Sequence, residues 1–447
     1  MYRDLRARVN YIQSISLACP TGWECSGQGP IYDCHREILT SIVKILSLCR
    51  CHRLTRVEIC GCEEWLRIDL ALIPALDSGG KLPHLMVGGG GPLTWELLHK
   101  LRDRVEVFSI SFSPDEVTYP EQPDPDFCDP RQFTCNFHKM DELHLRWPNF
   151  HPIHDDIDCD DVRTLSIEYH HKVDVQPLME SFPLIRNLLY YPSPLKWHQP
   201  LVSELLDTTR EQNKKFQDER EDWLDLDYYG GDLLGMYALC PMGDIFHMDI
   251  RMPPKCWKIL DYLLDVLLEG CPDRLTLYYP LDRDYMLLAC SIANSVSHLD
   301  LTISVGRTLC DMNNVEVELC HGITELCLSV FRLRLDWDPK DKAYPILMGL
   351  SKKRAVAAMK RTRTYFENLD PHKFALSMLQ HERSEDRNLR YIALELPYHN
   401  DALCYKVVGD GSEREVQLMT EHEGRAMLEK ELPKFTSKLD VFERWKS

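Results

Sequence analysis

"LPHLMVGGGGPLTWELLHKL", residues 82–101, runs from an apolar pattern into four consecutive glycines and then into an amphipathic pattern that opens with proline. A strand, a glycine turn and a helix N-terminus would aim backbone N–H groups at an anion, so a phosphate site is one reading. A Walker-type loop needs Gly-Lys-Ser/Thr after its last glycine, whereas Pro92, Leu93 and Thr94 follow here. Gly88–Gly91 also lack the G-x-G-x-x-G spacing of dinucleotide binders. The competing reading is turn chemistry: Leu82, Leu85 and Val87 form a strand, the glycines leave the sheet, and Pro92 suits the first turn of a return helix.

The frame apolar-x-x-apolar-x-apolar recurs along the chain, and this decides between the readings. It appears at Ile12/Ile15/Leu17, Leu54/Val57/Ile59, Leu82/Leu85/Val87, Val105/Phe108/Ile110, Met140/Leu143/Leu145 and Val162/Leu165/Ile167. It continues at Ile185/Leu188/Tyr190, Ile245/Met248/Ile250, Pro272/Leu275/Leu277, Val296/Leu299/Leu301, Ile323/Leu326/Leu328 and Leu389/Ile392/Leu394. Most intervals match the roughly 20–29-residue period of leucine-rich repeats. Helical patterns follow many frames, at 35–48, 64–76, 92–103, 256–269 and 283–296. The expected fold class is therefore α/β, a leucine-rich-repeat solenoid or horseshoe with a parallel inner sheet and outer helices. The repeat array spans 1–397 with insertions at 113–139, 199–244 and 339–388, and 398–447 forms a C-terminal cap of two strands around a glycine turn and a helix. The loop position that a regular repeat gives to Asn or Cys is held by Cys62 but elsewhere by Gly90, Ser113, His170 and Ser304, so the array is irregular.

Composition bounds the partners. The 447 residues are 44% hydrophobic, enough for a large core, and 52 basic against 70 acidic side chains give a formal net charge of −18. Neutralising phosphates requires a basic footprint, so neither nucleic acid nor an anionic membrane is expected, and the partners should be proteins or basic segments. "MYRDLRARVN" lacks the apolar core of a signal peptide, and no apolar run reaches membrane-spanning length. A cytoplasmic or nuclear location is expected, where the 18 cysteines stay reduced.

Strand patterns such as "LTRVEIC", "MDELHLRW", "VRTLSIEY" and "NLRYIALELP", the helix "TWELLHKLRDRVE" and the tail "HEGRAMLEKEL" make the sequence similar to fungal F-box-type leucine-rich-repeat proteins. That resemblance implies substrate recognition for a cullin-type ubiquitin ligase, with a ligase adaptor as a further partner. An F-box would precede the repeats, yet the first frame starts at Ile12, so the adaptor-binding module is expected to be absent. A binding scaffold without a ligase link is the alternative.

Chemistry-bearing residues yield no catalytic expectation: no nucleophile elbow, H-E-x-x-H or paired acids occur, so the chain is read as a non-enzyme without cofactor. Cys49, Cys51, His52, Cys60 and Cys62 alternate as C-x-C; zinc sites favour paired ligands held tetrahedrally, and Cys60 and Cys62 already fit a strand and its loop, so no metal is expected. "HPIHDDIDCDD", 151–161, lacks the glycine and terminal glutamate of a calcium loop and reads as a turn. The basic run 352–363 reads as a surface helix in preference to a nuclear import signal, and the charged run in 199–244 as solvated exterior. The expected partner surface is the concave strand face: Arg56, Glu58, His84, Glu142, His144, Arg146, His247, Asp249, Arg251, Arg274, Thr276, Tyr278, His298, Asp300 and Thr302. Thr164, Ser166, Glu168, Asn187 and Tyr191 occupy equivalent places. The segment His247–Thr302 is favoured, because three consecutive strands each present polar side chains there.

Overall fold

The computed structural model describes residues 13–17, 30–49, 54–77, 82–89, 91–101, 104–111, 140–146, 148, 159–168, 174–191, 201–219, 225–241, 243–252, 259–280, 296–304, 327–336, 352–380, 388–399, 401–409 and 413–435. The chain is α/β and divides into two compact units, one of residues 1–196, 215–223 and 436–447, the other of residues 197–214 and 224–435.

In the first unit, β1 (Ser14–Leu17), β2 (Arg56–Cys60), β3 (His84–Gly88), β4 (Val107–Ser111), β5 (Glu142–Arg146), β6 (Thr164–Glu168) and β7 (Asn187–Tyr191) pair side by side in chain order, all parallel. The register explains the recurring frame. Val57, Leu85, Phe108, Leu143, Leu165 and Leu188 stand opposite one another, as do Ile59, Val87, Ile110, Leu145, Ile167 and Tyr190. These two ladders are at most 2% exposed. Each buried aliphatic side chain contributes about 1.5–3 kcal/mol, and slipping any strand by one residue would turn its apolar pair to the other face.

Parallel neighbours need crossovers. Among the described residues these include α1 (Pro30–Cys49), α2 (Cys62–Ile68), α3 (Leu72–Asp77), α4 (Pro92–Leu101) and α5 (Gln176–Ser181). The single helix expected at 64–76 is two. Pro74 has no N–H and its ring clashes with the carbonyl four residues back, so a continuous helix is broken before it. Asp69 caps the break by accepting the Ala71 N–H at 2.9 Å.

The glycine run joins β3 to α4. Gly89 takes φ 80°, which suits glycine. At the helix N-terminus, the buried Glu63 carboxylate accepts the N–H groups of Leu93 (3.1 Å) and Thr94 (3.0 Å) and the Thr94 hydroxyl (3.2 Å). A Cβ at Gly91 would lie 2.4 Å from Glu63 Cδ, so the glycine makes room for that acid. The anion seat is occupied by the chain's own carboxylate.

In the second unit, β8 (Asp225–Asp232), β9 (Asp244–Arg251), β10 (Arg274–Pro280), β11 (His298–Ser304), β12 (Val330–Asp336) and β13 (Tyr391–Glu395) are parallel, while β14 (Leu403–Val408) and β15 (Glu415–Leu418) continue antiparallel. The helices α6 (Leu201–Asp218), α7 (Leu233–Leu239), α8 (Ile259–Gly270), α9 (Lys352–Asn368), α10 (Pro371–Gln380) and α11 (Glu421–Glu431) complete the described elements. β14, β15 and α11 lie where the sequence places two strands and a helix.

Three expectations need correction. The stretch 199–244 is no insertion: it supplies β8 and α7, with Leu226 and Tyr229 buried in the frame and Gly231 standing opposite Ile250, where the pattern expects an apolar side chain. The frame at Ile323 is displaced, since the strand follows Leu328/Phe331/Leu333 instead. The charged helix α6 is solvated on one face only, with Glu204, Glu211, Lys214, Lys215 and Asp218 exposed, and its other face is buried. Its Arg210 and Asn213 are buried and donate to the Tyr237 (2.7 Å) and Ala238 (2.8 Å) carbonyls, which the C-terminal end of α7 leaves without helical partners. Arg210 also pairs with Glu269, so its charge is compensated. In 339–388 the described residues form α9 and α10, and Val356 on α9 is exposed. Residues 113–139, the run 151–158 and the helix pattern at 283–295 lie outside the described residues.

Candidate functional site

Alternation places every second residue of β8–β13 on the face opposite the apolar ladders, and parallel register lines these residues up across strands about 4.8 Å apart. One row reads Tyr228, His247, Arg274, His298. The next reads Gly230, Asp249, Thr276, Asp300, Arg332, and the third Asp232, Arg251, Tyr278, Thr302, Arg334, Glu395. Gly230 matters because a Cβ there would meet the Tyr228 ring at 2.8 Å. Its absence lets that ring lie over the strand and donate its hydroxyl proton to Asp249 Oδ2 at 3.1 Å.

A wall rises from the C-terminal helix. Thr420 and Glu423 close a capping box at the start of α11. Met427 packs with Val330, Ala393 and Cys404, and Gly424 permits the close approach to Cys404. At the helix end, Glu431 Oε2 meets His298 Nε2 at 3.3 Å. The chain then runs through Leu432, Pro433 and Lys434 to Phe435, whose ring stacks on Tyr228 with centroids 4.2 Å apart and planes 14° from parallel. Floor and wall enclose a cavity of about 180 Å³, lined by Tyr228, His247, Asp249, Thr276, Tyr278 and Asp300 together with Arg274, Arg334 and residues 432–435.

The electrostatics of this cavity are unbalanced in a specific way. Burial pushes the Asp249 carboxyl up to about 6 despite the nearby Arg251 and the Tyr228 hydrogen bond. Burial also raises Asp300, against the pull of Arg332 and Arg334. Asp300 Oδ2 accepts from Arg332 Nη1 at 3.2 Å, and Arg332 and Arg334 both bind Glu395. For Glu395, burial opposes ionisation, but the hydrogen bonds from Arg334 and Arg332 outweigh it and hold the carboxyl below its usual range. His247 contacts Thr276 Oγ1 at 3.0 Å and is lowered to about 4 by burial and by Arg274. What remains is two buried carboxylate oxygens, Asp249 Oδ1 and Asp300 Oδ1, without a hydrogen-bond partner.

Comparison of the chain with family models, curated proteins and solved structures finds no match. The site therefore rests on its own geometry.

Of the residues expected on the concave face, His247, Asp249, Arg274, Thr276, Tyr278 and Asp300 come together around the cavity. Arg251 stands beside it, exposed, its guanidinium carbon 5.7 Å from the Tyr278 ring centre. His298 is engaged by Glu431, and Thr302 is buried. In the first unit the expected residues serve one another. Glu142 and His144 are buried 3.5 Å apart, Arg146 lies 3.7 Å from Glu168, and Asn187 donates to Thr164 at 3.1 Å. Arg56 lies 3.9 Å from Glu58 and reaches Met86 Sδ at 3.0 Å, and His84 is half-buried.

Sequence reasoning missed Tyr228, Arg332 and Arg334, because their strands were overlooked or displaced, and it missed Leu432–Phe435. The first three were findable from Leu226/Tyr229 and Leu328/Phe331/Leu333; the last carries no local signal. Among the described residues no cluster of three or more His, Cys, Asp or Glu is placed to hold a metal. Cys62 is buried, its thiol pushed up to about 12 mainly by burial, while Cys51 and His52 lie outside the described residues. No helix among the described residues is long and apolar enough to cross a membrane.

Proposed function

We propose that the chain is a protein-recognition module of the leucine-rich-repeat, F-box-like kind, which binds its target on the polar face of β8–β12. The observation that carries this reading is the set of aligned polar and aromatic side chains around a cavity whose floor keeps two buried acceptors unused. Tyrosine and arginine dominate binding hot spots, and Tyr228, Tyr278 and Arg251 are grouped here. Size supports recognition of a side chain over a whole metabolite, since pockets for drug-sized ligands run to roughly 300–1,000 Å³. A binding role is also favoured over catalysis by His247: a base lowered to about 4 is poorly matched to proton transfer at neutral pH.

Affinity purification from cell extract, comparing wild type with the Arg251→Ala/Tyr278→Ala double variant, tests the reading. A specific protein recovered by wild type and lost by the variant is the expected outcome; partners recovered equally by both would overturn it. Presence of a ligase adaptor among the recovered proteins separates ubiquitin-ligase substrate recognition from a scaffold without a ligase link.

A further inference from the structure

Resting on that reading, we propose that the cavity seats the cationic head of an arginine or lysine side chain presented by the partner protein. The two unpartnered oxygens belong to Asp249 and Asp300, which flank Thr276 in register and so stand two strand spacings apart, roughly 10 Å between Cα atoms. Both side chains line the same cavity, and Asp300 is only 8% exposed. A buried carboxylate oxygen without a donor is costly, and a charged donor offsets the most.

The cations already present do not remove that demand: the charge of Arg251 acts on Asp249, yet neither free oxygen receives a hydrogen bond. Arg332 is committed to Asp300 Oδ2 and Glu395, and Arg334 to Glu395. The guanidinium of Arg274 lies over the Phe246 ring, 4.8 Å from its centre. Its Nε lies 4.0 Å from Asp273 Oδ2 and has no hydrogen-bond partner. His247 is neutral at neutral pH. Tyr228, Tyr278 and Phe435 supply aromatic walls against which the stem or head of a basic side chain packs.

The chain also carries its own competitor. Lys434 lines the cavity, and its charge acts on Asp300. An incoming cation must share Asp300 with it, so removing Lys434 strengthens binding. The formal net charge of −18 favours encounter with a basic segment.

The test titrates the full chain with a fluorescein-labelled peptide Gly-Ser-Gly-Arg-Gly-Ser-Gly and with the same peptide carrying citrulline or glutamate in place of arginine. Citrulline keeps the shape and removes the charge. The arginine peptide should bind at least about tenfold more tightly than the citrulline peptide, and the glutamate peptide should not bind. Asp249→Asn and Asp300→Asn should each reduce arginine-peptide binding to the citrulline level, and Lys434→Ala should raise it several-fold. If Asp300→Asn disturbs folding through Arg332, Asp249→Asn decides alone, because its amide oxygen still accepts from Tyr228. Equal binding of the arginine and citrulline peptides, no detectable binding of the arginine peptide, or binding unchanged by Asp249→Asn would overturn the proposal. The two levels fail separately. Loss of the arginine preference leaves the dependence of partner recovery on Arg251 and Tyr278 standing. An arginine preference without that dependence keeps the cavity and removes the protein-recognition reading.

Discussion

The N-terminus of α4 and the cavity over β8–β12 are both places where the chain gathers polar groups that need an opposite charge, and they differ in who supplies it. At α4 the donors converge on Glu63, so the seat that a glycine-rich turn would offer to a phosphate is filled internally. At the cavity the acceptors of Asp249 and Asp300 remain open. A filled seat is a stability device; an open one is maintained at a cost in stability and is where a ligand would be bound.

The largest effect should come from emptying the filled seat. Glu63→Ala strands two helix-terminal N–H groups and a buried hydroxyl, and should destabilise the first unit by about 3 kcal/mol, read as a lowered calorimetric transition. A shift within error would mean that water replaces the carboxylate without loss.

Neutralising the open seat should act in the opposite direction. With its native carboxyl raised from 3.8 to about 6, Asp249 holds its proton more tightly folded than unfolded. The stability this gives is fully present below the unfolded value and is lost as the pH rises through about 6, a difference of about 3 kcal/mol at most. Asp249→Asn should therefore raise the melting temperature at pH 8 and leave it unchanged at pH 3.5. Destabilisation at pH 8 would show that the carboxylate is already compensated.

Smaller effects concern the wall. Thr420→Ala removes the capping box of α11, costs about 1 kcal/mol, and should speed amide exchange in residues 421–431. Phe435→Ala removes one ring stack, worth about 0.5–1.5 kcal/mol, and should raise the exposure of Tyr228 to solvent quenching without moving the main transition.

The contrast between the two seats was only half legible beforehand. The apolar ladders were, because a period-2 pair recurring every two dozen residues constrains register strongly. β8 escaped because Gly231 stands where the pattern demands an apolar side chain, and β12 was displaced because "ELCLSV" carries the same frame five residues early. Glu63 as the α4 anion was invisible, since it lies about thirty residues before its donors and only the stacking of crossovers brings them together. Alternation alone placed six residues of the cavity floor on one strand face. The wall of residues 432–435 was not, because nothing local tells an acidic helix end that it will lie against His298.

Parallel affinity purification with Arg251→Ala/Tyr278→Ala in the second unit and Arg56→Ala/Glu58→Ala in the first tests most directly whether recognition belongs to the open face. The account predicts that the first pair abolishes recovery of the specific partner while the second leaves it intact. Retention with the first pair and loss with the second would contradict it.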